Sequence, residues 1–323
     1  MSIIFYSLLG LLQLANGYEM SNHINSLNTT WTATDKHLVD FRSRLGSILS
    51  HQIGYFELSS FRYLDTDELP EEFDVATAFP ACSELVSHAR DQSNCGSCWA
   101  FGATEAFNDR YCISTGDNTK VFSPTDTLAC CSGITCGFSK GCEGGQPSAA
   151  WRWFVTHGVV EGGDYGDEET CKPYTFPSCS HHTDSVDLQS CESLPTYDTP
   201  TCNSECEYGD VKYDNDKFFA KDSYKLETVS DIQRDLMKYG TVTTAFSVYE
   251  DFETYSSGIY QHQTGKYLGG HAVKMIGWGV DNGVKYWTCV NSWNDEWGEN
   301  GMFRILRGSD ESGIESNVVA GTV

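Results

Sequence analysis

A cysteine at the head of a helix is the first pattern in this chain that implies chemistry. Asp91-Gln92-Ser93-Asn94-Cys95-Gly96-Ser97-Cys98-Trp99-Ala100 leads into a proline-free stretch where Ala100, Ala103, Phe107 and Tyr111 recur at helical spacing. Frequent alanines strengthen that helix. A cysteine in the first turn feels the positive end of the helix dipole, which favours the thiolate over the thiol. Gly96-Ser97 permits a sharp turn just before it and the close approach of another backbone. Gln92, six residues upstream, can aim a side-chain amide at a developing oxyanion.

A thiolate nucleophile needs a proton partner. Gly269-Gly270-His271-Ala272-Val273 puts a histidine at the start of a strand, with two glycines that let a substrate backbone pass. Asp281-Asn282-Gly283 is a hairpin signal that returns the chain to Asn291-Ser292-Trp293. His271 and Asn291 therefore reach the same end of one hairpin. A simple two-residue register sets His271 opposite Asn294 instead; a bulge at Gly277 or Gly279 is one way to adjust it. Cysteine, histidine and asparagine in this order suggest a thiolate–imidazolium pair with a neutral amide orienting the ring. Cys95-Gly96-Ser97-Cys98 also has dithiol spacing, so a disulfide oxidoreductase is an alternative from another class.

The elements that must hold these residues can be read in order. Residues 3–15 are an apolar run ending in Ala15-Asn16-Gly17, short for a membrane span and suited to a secretory signal, with an N-terminal anchor as the alternative. Leu38, Phe41, Leu45 and Ile48 make one apolar helical face. Asn28-Thr29-Thr30 is a glycosylation acceptor. Later helices are expected after Ser123-Pro124, from Ser148 to His157 behind Pro147, and from Asp231 to Tyr239 with Ser230 as the cap. Strands are expected over Thr241–Tyr249, His271–Val280, Val284–Val290 and Met302–Leu306. A helical first half and a strand-rich second half predict an α+β fold of two lobes with a cleft between them. Residues 160–210 form a long irregular block, tolerable because five cysteines can staple it.

The 323 residues are enough for one catalytic unit with a buried core. A formal charge of −24 argues against a nucleic-acid partner, since no basic patch dominates. Fourteen cysteines point to an oxidising compartment. Cys131 with Cys136 and Cys202 with Cys206 could be metal pairs, but no second Cys-x-x-Cys recurs, and neither metal nor cofactor is expected.

Cys95-Gly96-Ser97-Cys98-Trp99 is a signature of papain and cathepsin nucleophiles. The chain after about residue 69 resembles papain-like cysteine peptidases, and Asp91 through Cys112 is similar to cathepsin B. The resemblance implies a papain-like two-lobed fold, with a helical left lobe and a β-barrel-like right lobe. It divides the chain into a signal peptide (1–17), a propeptide (18–68) that runs backward through the cleft and blocks it, and a peptidase domain (69–323). It makes Cys98 the nucleophile, with a thiol pKa of about 3–4 by analogy with papain, and His271 the acid–base. Asn291 orients the ring under the shield of Trp293. The Cys98 backbone N–H and Gln92 form the oxyanion hole, worth about 3–4 kcal/mol per donor. From Cys98 to His271 is 173 residues, more than papain's roughly 130–150; the excess matches the stapled block.

Substrate-binding roles also follow from the resemblance: Gly144, Gly145 and Gly270 along the backbone, and Asn317 at the base of the S2 pocket, where cathepsin B carries Glu. His181 and His182 sit on the occluding loop (about 171–206), where they receive a C-terminal carboxylate. Asp91 is the acidic partner of His181, implying a raised histidine pKa and exopeptidase activity that dominates in acid. A second clamp would join an Arg to Glu296, yet no Arg or Lys lies between His182 and Cys191. The implied disulfides are Cys82–Cys112, Cys95–Cys142, Cys130–Cys202, Cys131–Cys136, Cys171–Cys206 and Cys179–Cys191, leaving Cys98 and Cys289 free. Expected partners are protein and peptide substrates, the chain's own propeptide as inhibitor and cystatin-type inhibitors, for a monomer of the secretory pathway, in a lysosome or acidic vesicle or outside the cell. A protease fold that only binds, without catalysis, is the competing reading.

Overall fold

Cys98 begins an 18-residue helix that this computed structural model packs against both of its large apolar cores. The structure describes residues 18–34, 42–52, 54–64, 67–181, 185–208 and 211–323. Its helices are α1 (residues 18–26), α2 (Val75–Ala78), α3 (Ser83–Ser87), α4 (Cys98–Thr115), α5 (Pro124–Cys130), α6 (Pro147–Thr156) and α7 (Val229–Tyr239). Its strands are β1 (Trp31–Ala33), β2 (Ser60–Phe61), β3 (Phe73–Asp74), β4 (Tyr224–Leu226), β5 (Val242–Tyr249), β6 (Tyr255–Tyr260), β7 (Tyr267–Asp281), β8 (Val284–Val290), β9 (Met302–Leu306) and β10 (Val318–Ala320).

Local chemistry sets the helix ends. Ser123 Oγ accepts from Asp126 N–H at 3.0 Å, and Pro124 opens α5 with a fixed φ and no N–H to waste. The α7 cap is Thr228, whose Oγ1 accepts from Asp231 N–H at 3.1 Å, rather than Ser230, which lies inside the helix. Gly116, at φ 78°, stops α4 and returns its N–H to Cys112 O at 2.7 Å.

Helix α4 is buried all the way round from Cys98 to Arg110, beyond the one apolar face its spacing suggests. Most of its polar residues are inside because they find partners. Thr104 meets Thr127 at 2.9 Å, Asn108 donates to Lys120 O at 2.9 Å, and Asp109 meets Lys274 at 3.0 Å. Arg110 pairs with Asp235. The helix also approaches β7 closely: a Cβ on Gly102 would lie 3.2 Å from the Val273 carbonyl. That contact brings the Cys98 helix to the His271 strand.

The strands form one sheet in the order β1-β6-β9-β8-β7-β5-β10-β4-β2, with β3 also paired to β7. Asn282 at φ 50° and Gly283 at φ 81° make the tight turn between β7 and β8. A bulge between Met275 and Gly277 shifts the register by one. Strand β8 ends at Val290, so Asn291 has already left the ladder. Apolar residues of this sheet form one core; α4, α5 and α6 enclose another, rich in aromatic rings.

The expected helical face at 38–48 is not realised where it can be followed. Leu38 and Phe41 lie outside the described residues. After a single 3₁₀ turn at Arg42–Arg44, Leu45 and Ile48 belong to an extended segment. The backbone groups of Gly46, Ser47 and Ile48 bond to the cleft walls, which satisfies them without a helix.

The irregular block between α6 and β4 is stapled by Cys171–Cys206 and Cys179–Cys191, and tied to α5 by Cys130–Cys202. Buried Asp126 of α5 reinforces the tie. It accepts from Tyr213 Oη at 2.7 Å and Lys217 Nζ at 2.8 Å, with Lys172 Nζ at 3.4 Å. Among the described residues no helix is long and apolar enough to cross a membrane.

Candidate active site

Three elements converge on Cys98. Helix α4 carries the cysteine, β7 carries His271, and the segment after β8 carries Asn291. Asn291 Oδ1 lies 2.7 Å from His271 Nε2 and also accepts from Ser292 N–H at 2.9 Å. The Trp293 ring packs on His271 at 4.7 Å between centroids and keeps water from the pair. Gln92 is held with its amide oxygen accepting from Ser292 Oγ at 2.7 Å. Its Nε2 is therefore turned the other way, donating to Cys95 O at 2.7 Å and Arg44 O at 3.0 Å.

Residues 43–50 fill the space above the cysteine. Gly46 N–H points at Cys98 Sγ at 3.4 Å. Gly145 N–H donates to Gly46 O at 2.7 Å, and Ile48 N–H to Gly145 O at 3.0 Å, so Ser47 runs parallel to Gly145. Ser47 N–H donates to Gly270 O at 2.9 Å. A Cβ on Gly270 would fall 2.1 Å from Ser47 O, so a glycine is required for this approach. Gly144 lines the same wall without bonding to the segment: a Cβ there would lie 2.8 Å from Gly46 O. Leu49 is buried with Cys98, Ala245 and Ala272. Asn317 accepts from Ser50 N–H at 2.6 Å and donates to Gly313 O at 2.8 Å.

This burial changes the acid–base state. The Cys98 thiol is pushed up to about 11, because burial outweighs the N–H groups of Ala272 and Gly46 that point at the sulfur. Burial likewise pushes His271 down to about 4 against the help of Asn291. His271 Nδ1 makes no hydrogen bond. The depressed thiol pKa expected from papain is thus not the state of this chain. With residues 43–50 in place, both groups are neutral.

On the stapled block, His181 Nε2 lies 2.8 Å from Asp91 Oδ1. The direction of its titration is the reverse of the expectation: burial lowers the His181 pKa more than Asp91 raises it, and Arg44 lowers it further. Asp91 stays ionised below the usual carboxylate range despite its burial, held by His181, Asn294 and Ser93. His182 lies outside the described residues. Glu296 accepts from Ser185 Oγ at 2.8 Å.

Cys82–Cys112, Cys95–Cys142 and Cys131–Cys136 complete the six disulfides, leaving Cys98 and Cys289 free. With Cys95 bonded to Cys142, Cys95 and Cys98 are no dithiol pair. Cys131 and Cys136, and Cys202 and Cys206, are likewise used in disulfides. Asn28 is exposed in the turn between α1 and β1. Residues given no role by the sequence but bonded to the site are Ser292, Asn294, Tyr174 and Arg44. Single residues of common type carry no spacing that would reveal them.

This fold and cleft are those of a papain-type peptidase. A sequence profile described as "Papain family cysteine protease" matches residues 69–322, and the chain belongs to that family. Its relatives narrow the group. It is 44% identical over 321 residues to "Cathepsin B-like cysteine proteinase 6" of Caenorhabditis elegans, covering 95% of this chain and 83% of that one. It is 47% identical over 259 residues to a "Cathepsin B-like cysteine proteinase" of Schistosoma japonicum, covering 79% and 74%. Among solved structures it is similar to proCathepsin B S9 from Trypanosoma congolense, with a TM-score of 0.79 and 32% identity over 94% of this chain and 97% of that one. The chain is a cathepsin B-like cysteine protease, a hydrolase.

Proposed function

We propose that this chain is the inactive precursor of an endopeptidase that also removes dipeptides from C-termini. Residues 1–17 direct it to the secretory pathway, Asn28 receives a glycan, and residues 18–68 are excised to free the peptidase domain 69–323. It works as a monomer in a lysosome or acidic vesicle or outside the cell, and cystatin-type proteins inhibit it.

The observation that carries the precursor reading is the segment in the cleft. The sulfur of Cys98 faces an N–H of Gly46, not a carbonyl carbon, so the strand is not cleaved as it lies. Arg44 O meanwhile accepts from Gln92 Nε2, the donor meant for an oxyanion. When residues 43–50 leave, water reaches the pair, and the proton moves from Cys98 to His271. The thiolate then attacks a substrate carbonyl carbon; its oxygen becomes an oxyanion held by the Cys98 N–H and Gln92 Nε2. As the C–N bond breaks, His271 gives its proton to the departing amine, leaving a thioester. His271 next takes a proton from water, whose oxygen attacks the thioester and releases acid and thiolate. Asn291 keeps the imidazole in plane throughout.

Dipeptide removal rests on the block held by Asp91–His181, which closes the primed end. No Arg or Lys between His182 and Cys191 supplies a cationic clamp on that block, which favours endopeptidase activity alongside. Leu49 among Ala245 and Ala272 marks an apolar P2 site, with neutral Asn317 at its base.

A peptidyl epoxide tests the reading. The intact chain should resist labelling, and the acid-matured chain should be labelled at Cys98 and lose activity in proportion. Equal labelling before and after maturation would reject the precursor role. A matured chain that neither labels nor cleaves any peptide would leave the binding-only reading.

A further inference from the structure

The oxyanion hole has two donors on two separate pieces of backbone. Gln92 lies in the loop before α4; the Cys98 N–H belongs to the first turn of α4 itself. Hydrogen bonds of Gln92 to Ser292 orient its side chain but do nothing for Cys98. Tyr174 touches both pieces.

Its hydroxyl lies 2.7 Å from Gln92 O and 2.9 Å from Ser97 Oγ. A carbonyl oxygen only accepts, so the single Tyr174 proton goes to Gln92 O. Ser97 must then donate to Tyr174 Oη. The proton directions are thereby settled by valence. Ser97 immediately precedes Cys98, and its side chain makes no cap bond within the helix. One oxygen atom thus joins the carriers of both donors.

The tyrosine is itself firmly placed. It is 2% exposed, and its ring packs edge-on to Phe101 at 4.7 Å and Phe176 at 5.5 Å. Its backbone N–H donates to Gly163 O at 3.0 Å. It lies between Cys171 and Cys179, both in disulfides, at the root of the occluding block. Burial raises its pKa far above the ordinary tyrosine value, so it keeps its proton at any working pH.

We propose that Tyr174 is a positioning residue for the oxyanion hole, its hydroxyl fixing the distance between Gln92 and the Cys98 N–H and coupling that distance to the stapled block. Tyr174 touches no substrate. It acts through the two donors, so it matters most where charge develops on oxygen. This rests on the proposed peptidase mechanism.

The test compares wild type with Tyr174→Phe, which keeps the ring contacts, each expressed as the full chain and matured in acid with a trace of active enzyme. Three quantities are read. The expected result is a fall in kcat of about ten- to a hundredfold, less than the 10²–10³ of deleting a donor outright, with KM little changed. Affinity for a peptide aldehyde, whose adduct carries an oxyanion, should fall in parallel. Alkylation by iodoacetate, which makes no oxyanion, should keep its rate and pH profile. Unchanged kcat and aldehyde affinity would overturn the proposal. So would equal losses in aldehyde binding and alkylation, which signal general damage. Should Tyr174→Phe fail to fold, Ser97→Ala cuts the link on the Cys98 side alone and should show the same selective loss, smaller in size. If it shows none, the proposal falls. Wild type that neither cleaves nor binds aldehyde would overturn the underlying peptidase reading instead.

Discussion

His181 sits under two opposed influences. The Asp91 carboxylate beside it accepts from Ser93 N–H at 2.7 Å, Cys179 N–H at 3.0 Å and Asn294 Nδ2 at 2.8 Å, and remains ionised. The imidazole is fully buried, and burial together with Arg44 lowers its pKa. Below the unfolded value of about 6.5 the unfolded chain binds the proton and the folded chain does not. The stabilisation is therefore full above that value and lost as pH falls through the folded one. Melting a Cys98→Ala chain from pH 4.5 to 7.5 should show a midpoint that drops in acid. Arg44→Gln lets His181 regain part of its basicity and should shallow that drop; identical slopes would count against it. Removing Arg44 on maturation has the same sign, so acid loosens the precursor more than the enzyme. At Asn317, a carboxylate in place of the amide would face the P2 side chain. Asn317→Glu should raise kcat/KM for Arg at P2 about tenfold, as expected for one unit charge in a partly shielded site; no change would remove Asn317 from that subsite. Cys98, Gln92, His271 and Asn291 could be picked from the sequence because their types occur in a rare order. Tyr174 could not, since it lies 82 residues from the Gln92 carbonyl it holds and belongs to no pattern.

Helix α4 and strand β7 meet along a seam that holds more charge than it balances. Lys274 of β7 reaches Asp109 at 3.0 Å and Glu105 at 3.9 Å, both on α4, and donates to Leu85 O at 3.1 Å. One cation serves two buried carboxylates. Arg90 and His88 face the same cavity of about 120 Å³ but are bonded to Asp164. Glu105 Oε1 has no partner. Burial pushes the Glu105 pKa up to about 7, with Asp109 adding to the rise and Lys274, Arg90 and His88 opposing it. Between its unfolded value of 4.5 and about 7 the folded chain binds the extra proton. Stability gained in acid is therefore lost as pH rises through that window, opposite in sign to His181. Glu105→Gln mimics the protonated acid and should remove this loss between pH 5 and 8 in the melting curve of the inhibited, matured enzyme. A wild-type slope in the variant would show that Glu105 does not carry the proton. At this scale, helix and strand identities were readable for α6, α7, β5 and β7–β9, which have strong periodicity and clear end signals, but not for β6. The extended path at 45–49 was not, since its apolar spacing also fits a helix and only the cleft walls decide. The one-residue bulge beside Gly277 was half legible: the glycines at 277 and 279 marked where the register could slip, but not which of them it would use.

Across the molecule, residues before 69 are gripped at several distant places. Trp31 enters the sheet core beside Tyr255 at 6.2 Å and Tyr260 at 5.2 Å, and its Nε1 donates to Gln261 O at 2.9 Å. Emptying that site costs about 3–5 kcal/mol for a buried Trp→Ala change. Trp31→Ala should shorten the lag before acid maturation and raise the residual activity of the uncut chain; an unaltered lag would mean that the cleft segment alone sets the latch. The two-lobed plan was readable from the switch between helical and strand-rich halves. The joining of the lobes was not, because it depends on pairs such as Lys274 with Asp109, far apart in the chain.

The sheet's two outermost strands, β1 and β2, both precede residue 69. Trimming the chain there would strip the guard from both borders at once. Strands β6 and β4 would then offer rows of unfilled amide and carbonyl groups to any passing extended polypeptide. The proposed excision would thus have a physical side effect unrelated to hydrolysis: the trimmed chain would be the stickier particle, and its shelf life in solution should depend on dilution in a way the uncut form's does not.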